Sequence, residues 1–194
     1  MKKITGLTAT TPEKLLLDAG AYFKNFVVGT DTFESAVAAG KLIGATNGGG
    51  NFSAVPTTRK IEVDGANENT IGLDRIDGWI VSITANLKEI SQSSIAEALG
   101  AATVVDGPTG YKKIVPNADV KIADYIDNIT WVGRLSGSLK PVIVVVKKAR
   151  SREGLTVNTT DKNEAVMPIK FTGHYEFDQE EPPFEIYYPD ISVA

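Results

Sequence analysis

The chain has 194 residues, 42% of them hydrophobic and 23% charged, with a formal net charge of −4 and a pI near 5.1. That size and balance suit one globular domain with a proper core, not a disordered chain. The acidic balance argues against a surface that grips nucleic acid, and the absence of cysteine excludes a disulfide framework and a thiolate metal site.

The first twenty residues, MKKITGLTATTPEKLLLDAG, open on two lysines but hold no apolar run long enough for a secretory leader. They are expected as an arm. Ala21–Val28 is a weak strand candidate. Asp31-Thr32-Phe33-Glu34, followed by Ser35–Ala39 and Gly40, predicts a short capped helix with a glycine stop. Gly44–Gly65, GATNGGGNFSAVPTTRKIEVDG, fits no phosphate-binding pattern, because the glycines lead to Pro56 and the alternating run Lys60-Ile61-Glu62-Val63-Asp64. A strand is expected there instead.

GANENTIGLDRIDG then separates that strand from the next and is about twice the ordinary hairpin loop length. In Trp79–Lys88, Trp79, Val81, Ile83, Ala85 and Leu87 alternate with Ser82, Thr84, Asn86 and Lys88, the pattern of a strand with one buried face. Ser94-Ile95-Ala96-Glu97 has capping-box spacing, with Gly100 as terminator. Asn128–Leu135 alternates again, with Ile129, Trp131 and Leu135 inward. Pro141–Arg150 contains five consecutive apolar residues, so a strand covered on both faces is expected. Val166–Asp178 alternates with Met167, Ile169, Phe171, Tyr175 and Phe177 inward, and Phe184–Tyr188 is a weaker candidate.

The predicted fold is mainly β: an antiparallel β-sandwich or barrel with one or two short flanking α-helices and extended arms or loops. It forms a single domain over 1–194, with an N-terminal arm to about residue 20, a long loop over about 65–78 and a C-terminal tail over about 189–194.

Catalytic constellations are not evident. His174 is the single histidine, so any triad or histidine-rich metal site would hang on it, and its place on a polar strand face suits a surface or interface residue. Gly133-Arg134-Leu135-Ser136-Gly137 only loosely echoes a nucleophile elbow. The acid pairs Asp74/Asp77, Asp124/Asp127 and Glu180/Glu181 match no calcium loop. The Asn-x-Ser/Thr matches at Asn51, Asn128 and Asn158 read as chance without a leader, which places the protein inside a cell when it is made. The longest apolar run, Val142–Val146, is too short to span a bilayer. No enzyme, cofactor, metal or membrane role is expected.

GKLIGATNGGGNFSAVPTTRKIEVDGA, followed by Asp77-Gly78-Trp79 and the closing EPPFEIYY, resembles the major tail tube proteins of tailed bacteriophages and prophages infecting Gram-positive bacteria. The similarity is strongest over Gly40–Ala66, with support at Thr84–Ser91 and Val166–Tyr188. It implies a β-sandwich with a flanking helix, hexameric rings, and stacking of those rings into a tube through which DNA passes. The implied setting is the virion tail, after synthesis in the bacterial host cytoplasm. The implied partners are further copies of the chain, DNA in passage, and other tail proteins (tape measure, tail terminator, baseplate or tip).

On that reading Gly48, Gly49 and Gly50 form a mobile backbone that settles with Phe52 against a neighbouring subunit. The long loop, with Asn67, Asn69 and Asp74, contacts an adjacent subunit or ring. A conduit must not hold DNA, so an acidic or mixed bore is expected, with Glu62 and Asp64 facing it and Lys60 offsetting part of their charge. The alternative is a monomeric β-sandwich module that binds carbohydrate or a cell surface. It would need exposed aromatics, whereas Trp79 and Trp131 fall on expected core faces.

Overall fold

The structure, a computed structural model, describes residues 5–190; residues 1–4 of the expected arm and 191–194 of the expected tail lie outside it. The fold is mainly β, at 46% strand and 11% helix. One eight-stranded antiparallel network contains β1 (Leu16–Lys24), β2 (Thr46–Lys60), β3 (Asp74–Leu87), β6 (Ile126–Leu135), β7 (Val142–Ser151), β8 (Asn158–Thr160), β9 (Asn163–Thr172) and β10 (Phe184–Tyr187). Its path is β1-β6-β7-β9-β3-β2, with β10 on β7 and β8 on β9. β4 (Ala102–Asp106) and β5 (Lys112–Pro116) form a separate hairpin.

Strand β7 makes this network sandwich-like. Along most of its length it pairs with β6 and β10, and only its last residues, Arg150 and Ser151, pair with Thr172 and Phe171 of β9. The half β1-β6-β7-β10 thereby folds over the half β2-β3-β9. Between them lies the core, in which Ile129, Val146 and Ala149 of the first half meet Val81, Ile83, Leu87, Ile169 and Phe171 of the second. The alternation of β3 and β9 delivers every second residue to this layer, and hydrophobic burial there is the main stabilising term.

A second cluster, Phe23, Phe26 and Ala36 with Val132 and Ile143, packs helix α1 (Phe33–Ala38) on the back of the first half. β7 is consequently covered on both faces, as its uninterrupted apolar run predicts. Helix α1 starts at the expected place, with Thr32 and Ser35 in a reciprocal capping box. Helix α2 (Gln92–Leu99) is capped three residues before the expected position: Ser91 caps it and Ser94 closes the box. Gly100 ends it in the left-handed region, φ 74°.

The sheet does not close into a barrel. β1 and β2 are its two path ends, and they approach each other without pairing. β1 begins at Leu16, inside the expected arm, because Leu16 and Leu17 pair with Leu135 and Arg134. β9 stops at Thr172, short of the expected Asp178. The amide of Gly173 donates to the Val81 carbonyl at 3.0 Å, and a Cβ on Gly173 would come within 2.8 Å of Val146. The chain turns away there, leaving Phe177 91% exposed.

Candidate assembly surfaces

β2 and β3 build three neighbouring surfaces: a polar sheet face, a projecting ribbon, and a cleft where β2 meets β1.

On β3, Val81, Ile83, Ala85 and Leu87 are buried, so Ser82, Thr84 and Asn86 stand on the opposite face. Register carries that face sideways. Ser82 lies opposite Ser53 of β2 and Thr172 of β9, and Thr84 lies opposite Asn51 and Lys170. The result is a carpet of hydroxyl and amide side chains with one cation, and Lys170 is paired with Glu153 at 2.5 Å. No helix lies over these residues, whereas α1 covers the back of the other half. Sheet faces that merely meet water commonly carry lysine and glutamate; this one carries serine, threonine and asparagine.

Beyond Ser82, β9 no longer accompanies β3, and β2 and β3 continue as a two-stranded ribbon from Ala54/Val81 to Lys60/Asp74. Such a ribbon is marginal alone. Its root is braced by the Trp79 amide, which donates to the Tyr175 hydroxyl at 2.7 Å, and by Trp79 packed edge-on against Phe184 at 5.3 Å. An ion pair between Arg59 and Asp77 at 2.8 Å spans the single-residue bulge between Thr57 and Thr58. Val55 and Ile80 lie directly opposite each other and are both more than half exposed. β2 has no strand on its other side, and Pro56, which lacks an amide hydrogen, is compatible with that edge.

β2 ends at Lys60. Glu62 and Asp64 are therefore not residues of an alternating strand, as expected, but belong to an exposed connection over 61–73. The Ile61 amide still donates to the Leu73 carbonyl at 2.8 Å, and then Asp64-Gly65 turns the chain, with Gly65 at φ 82°. Asn67 and Asn69 lie in this connection, which is displaced by about four residues toward the N-terminus from the expected loop over 65–78: β2 ends at Lys60, and Asp74 is already in β3, opposite Lys60.

The glycine run is part of β2. Thr46 pairs with Leu87 and Gly50 with Ala85, so β2 carries two residues more than β3 over that interval. Gly48 and Gly49 accommodate the excess at φ 79° and 65°, which favour glycine. β1 has a matching excess between Leu17 and Ala21, opposite Arg134 and Val132. The two bulges face one another: a Cβ on Gly49 would lie 3.6 Å from that of Ala19. These glycines thus lie within a strand, and they border another segment of their own chain.

Behind the bulges opens a cleft of about 740 Å³, walled by Leu16, Phe52, Trp131, Val144, Ile186 and Tyr188. Tyr22 contributes its hydroxyl, whose pKa burial pushes up. β10, which carries Ile186, is tied to β7 by Lys147 and Glu185 at 2.5 Å. That hydrogen bond, helped by one from the Tyr187 hydroxyl, holds the Glu185 carboxyl below its ordinary pKa and raises that of Lys147.

His174 lies past the end of β9. Its Nδ1–H donates to the Lys148 carbonyl at 2.9 Å, and its ring stands edge-on to Tyr125 at 4.9 Å. Trp79 and Trp131 are partly buried against the core. Among the described residues no helix is long and apolar enough to cross a membrane. The chain matches no model of a known protein family, and no curated protein matches it.

Proposed function

We propose that this chain is the structural subunit of a phage-type tail tube: copies join into six-membered rings, and the rings stack into a conduit for DNA. The resemblance over Gly40–Ala66 supplies the family. The observation that carries the reading is the partly exposed polar sheet face of Asn51, Ser53, Ser82, Thr84, Asn86 and Thr172, whose one cation, Lys170, is neutralised by Glu153, and which continues into a ribbon with a free edge. A wall along which DNA slides needs hydration without fixed cations, because every lysine that neutralises a phosphate releases counterions and adds affinity. Free strand edges are an association hazard in a monomer and a joining device in a ring.

In this reading the bore is lined by the polar face of β2, β3 and β9. Glu62 and Asp64, in the exposed connection, belong to contacts between rings. Lys60, the last residue of β2, sits where the two regions meet. The further partners in this reading are other tail proteins: tape measure, tail terminator, and baseplate or tip.

The test is electron microscopy of negatively stained, concentrated protein, alone and with an initiating tail complex. Six-fold rings or tubes are expected. A chain that stays monomeric at millimolar concentration and forms no ring with the initiating complex would overturn the proposal, and binding of a soluble glycan by that monomer would favour the binding-module alternative.

A further inference from the structure

Asn47-Gly48 is the one asparagine–glycine pair in the chain. An asparagine side chain is open to attack by the backbone nitrogen of the residue that follows it, and glycine, without a Cβ, hinders that attack least. Elsewhere the following residue carries a side chain, as in Asn67-Glu68, Asn69-Thr70 and Asn117-Ala118.

A fold suppresses this reaction by burying the amide, by hydrogen-bonding it, or by clamping the backbone around it. Asn128 shows the second: the Phe26 amide donates to its oxygen at 2.9 Å, and its nitrogen donates to the Phe26 carbonyl at 3.1 Å. Asn47 has none of these protections. Both it and Gly48 are exposed. The Asn47 side chain makes no hydrogen bond among the described residues. The pair also sits in the β2 bulge, where register with β3 lapses between Thr46/Leu87 and Gly50/Ala85. A Cβ on Gly48 would meet only the Asn86 Nδ2, at 3.9 Å, so the space beside the attacking nitrogen is clear.

We propose that Asn47 is a self-modification site, at which the β2 bulge converts from a neutral to an acidic one. The Gly48 nitrogen bonds to the Asn47 Cγ and loses its proton, and the side-chain nitrogen leaves as ammonia. Water then opens the cyclic imide at either carbonyl. One opening gives aspartate; the other gives isoaspartate, with the main chain rerouted through the former side chain. In sum an amide and a water become a carboxylic acid and ammonia, with no oxidant or cofactor.

The product changes the lip of the β1–β2 cleft. Gly48 and Gly49 line that cleft together with Asp18 of the β1 bulge, so the new carboxylate adds a like charge there. Isoaspartate also inserts a further main-chain carbon into a bulge that is already over-long. The reaction requires neither rings nor stacking, and so stands apart from the tube reading.

Full-length protein is held in mildly acidic and mildly alkaline buffer, digested with trypsin and analysed by mass spectrometry. Cleavage after Lys41 and Arg59 releases Leu42–Arg59, which holds Asn47 and Asn51 and no aspartate–glycine pair. Isomerisation at Asp64-Gly65 is thereby kept apart from the reaction. The mass gain of amide-to-acid conversion, located by fragmentation, is expected at Asn47 well before Asn51, Asn67 or Asn69. It should be faster in the alkaline buffer, where the attacking nitrogen loses its proton more readily.

Asn47→Gln should abolish the early gain and Gly48→Ala should slow it severalfold, with thermal melting to show that each variant is folded. The folded chain should react within a few fold of the rate of the same chain in urea. Conversion at Asn47 no faster than at the exposed Asn67 and Asn69 would overturn the proposal. So would a folded chain that stays unmodified while the chain in urea reacts, since the bulge would then protect the pair. Ion exchange isolates the modified chain by its added negative charge, and hydrogen exchange in that fraction should quicken at 18–21 and 48–52. Unchanged exchange there would remove the effect on the cleft lip.

Discussion

The indole N–H of Trp131, in β6, donates to the carbonyl of Ala19 in the β1 bulge across 2.9 Å. The ring lies where no side chain could stand at two positions: a Cβ on Gly20 would come within 2.2 Å of it, and one on Gly133 within 2.0 Å. Trp131 thus holds the bulge that forms one lip of the cleft. Trp131→Phe is expected to cost about 1–2 kcal/mol in urea unfolding, from the lost hydrogen bond and the smaller ring. Gly133→Ala should cost more than an ordinary surface substitution, because the indole must leave its place. Equal stability of Gly133→Ala and the parent chain would contradict this packing.

The Tyr175–Trp79 bond supports a different element. Tyr175→Phe removes the acceptor of the Trp79 amide at the ribbon root, and the net loss should be about 1 kcal/mol, confined to the ribbon. Hydrogen exchange is expected to quicken for the amides around 76–80, with the core strands β6 and β7 unaffected. Uniform acceleration across the whole chain would mean that the ribbon does not open independently.

Much of this arrangement was legible in the sequence, and the failures have physical causes. Alternation located β3, β6 and the last part of β9, from Val166 to Thr172, and the apolar run at Val142–Val146 located a strand covered on both faces. The polar residues of β3 and β9 that make up the open face were visible as the off-phase half of that alternation. The ends of strands were harder. Tyr175 and Phe177 keep the period of β9 beyond Gly173, yet the contact of Gly173 with Val146 turns the backbone first. Glu62 and Asp64 keep the alternation beyond Lys60, but no paired strand extends that far. The bulge at Gly48 and Gly49 was not legible because a bulge is set by the register against the partner strand, here Thr46 opposite Leu87 and Gly50 opposite Ala85, which the glycines alone do not encode. The β4–β5 hairpin, with short strands and mostly exposed side chains, leaves little hydrophobic pattern to detect.

Acid should loosen β10. The Glu185 carboxyl has its pKa lowered in the folded chain, chiefly by the hydrogen bond from Lys147 and then by that from Tyr187. A depressed carboxylate pKa contributes stability that is present above its unfolded value, about 4.3, and is lost as pH falls through the folded value. Melting temperature is therefore expected to drop on acidification below about pH 4.3, and Glu185→Gln should flatten that limb while lowering stability at neutral pH. An acid limb of the same steepness in the variant would assign the effect to other carboxylates.

Removal of the connection should separate folding from assembly. Ile61–Leu73 lies outside the core, and its ends at Lys60 and Asp74 already face each other across the ribbon. Replacement of those residues by a two-residue Asn-Gly turn preserves the strand register and favours a tight hairpin. The shortened chain is expected to melt within a few degrees of the parent chain and to form no stacks in the light-scattering assay that follows polymerisation. Polymerisation at the parental rate would take the connection out of the ring-to-ring contact.

The polar face can be tested through charge. Ser53 and Thr84 are partly exposed and stand on the face opposite the core, where the long lysine stem can reach solvent, so Ser53→Lys/Thr84→Lys is expected to fold, which thermal melting checks. In a ring of six copies the pair adds twelve cations to the proposed wall, and each phosphate neutralised on duplex DNA contributes about −0.9 to the slope of log affinity against log salt. Tubes of the double variant are therefore expected to retain DNA at low salt, to release it steeply as salt rises, and to slow genome ejection from assembled particles. Glu62→Lys/Asp64→Lys changes charge by a larger amount, but in the exposed connection. It should weaken stacking and leave DNA retention by the tubes that do form near the parental level. The opposite result, with retention raised by the Glu62/Asp64 variant and unchanged by the Ser53/Thr84 variant, would place the bore along the connection and turn the polar sheet face outward.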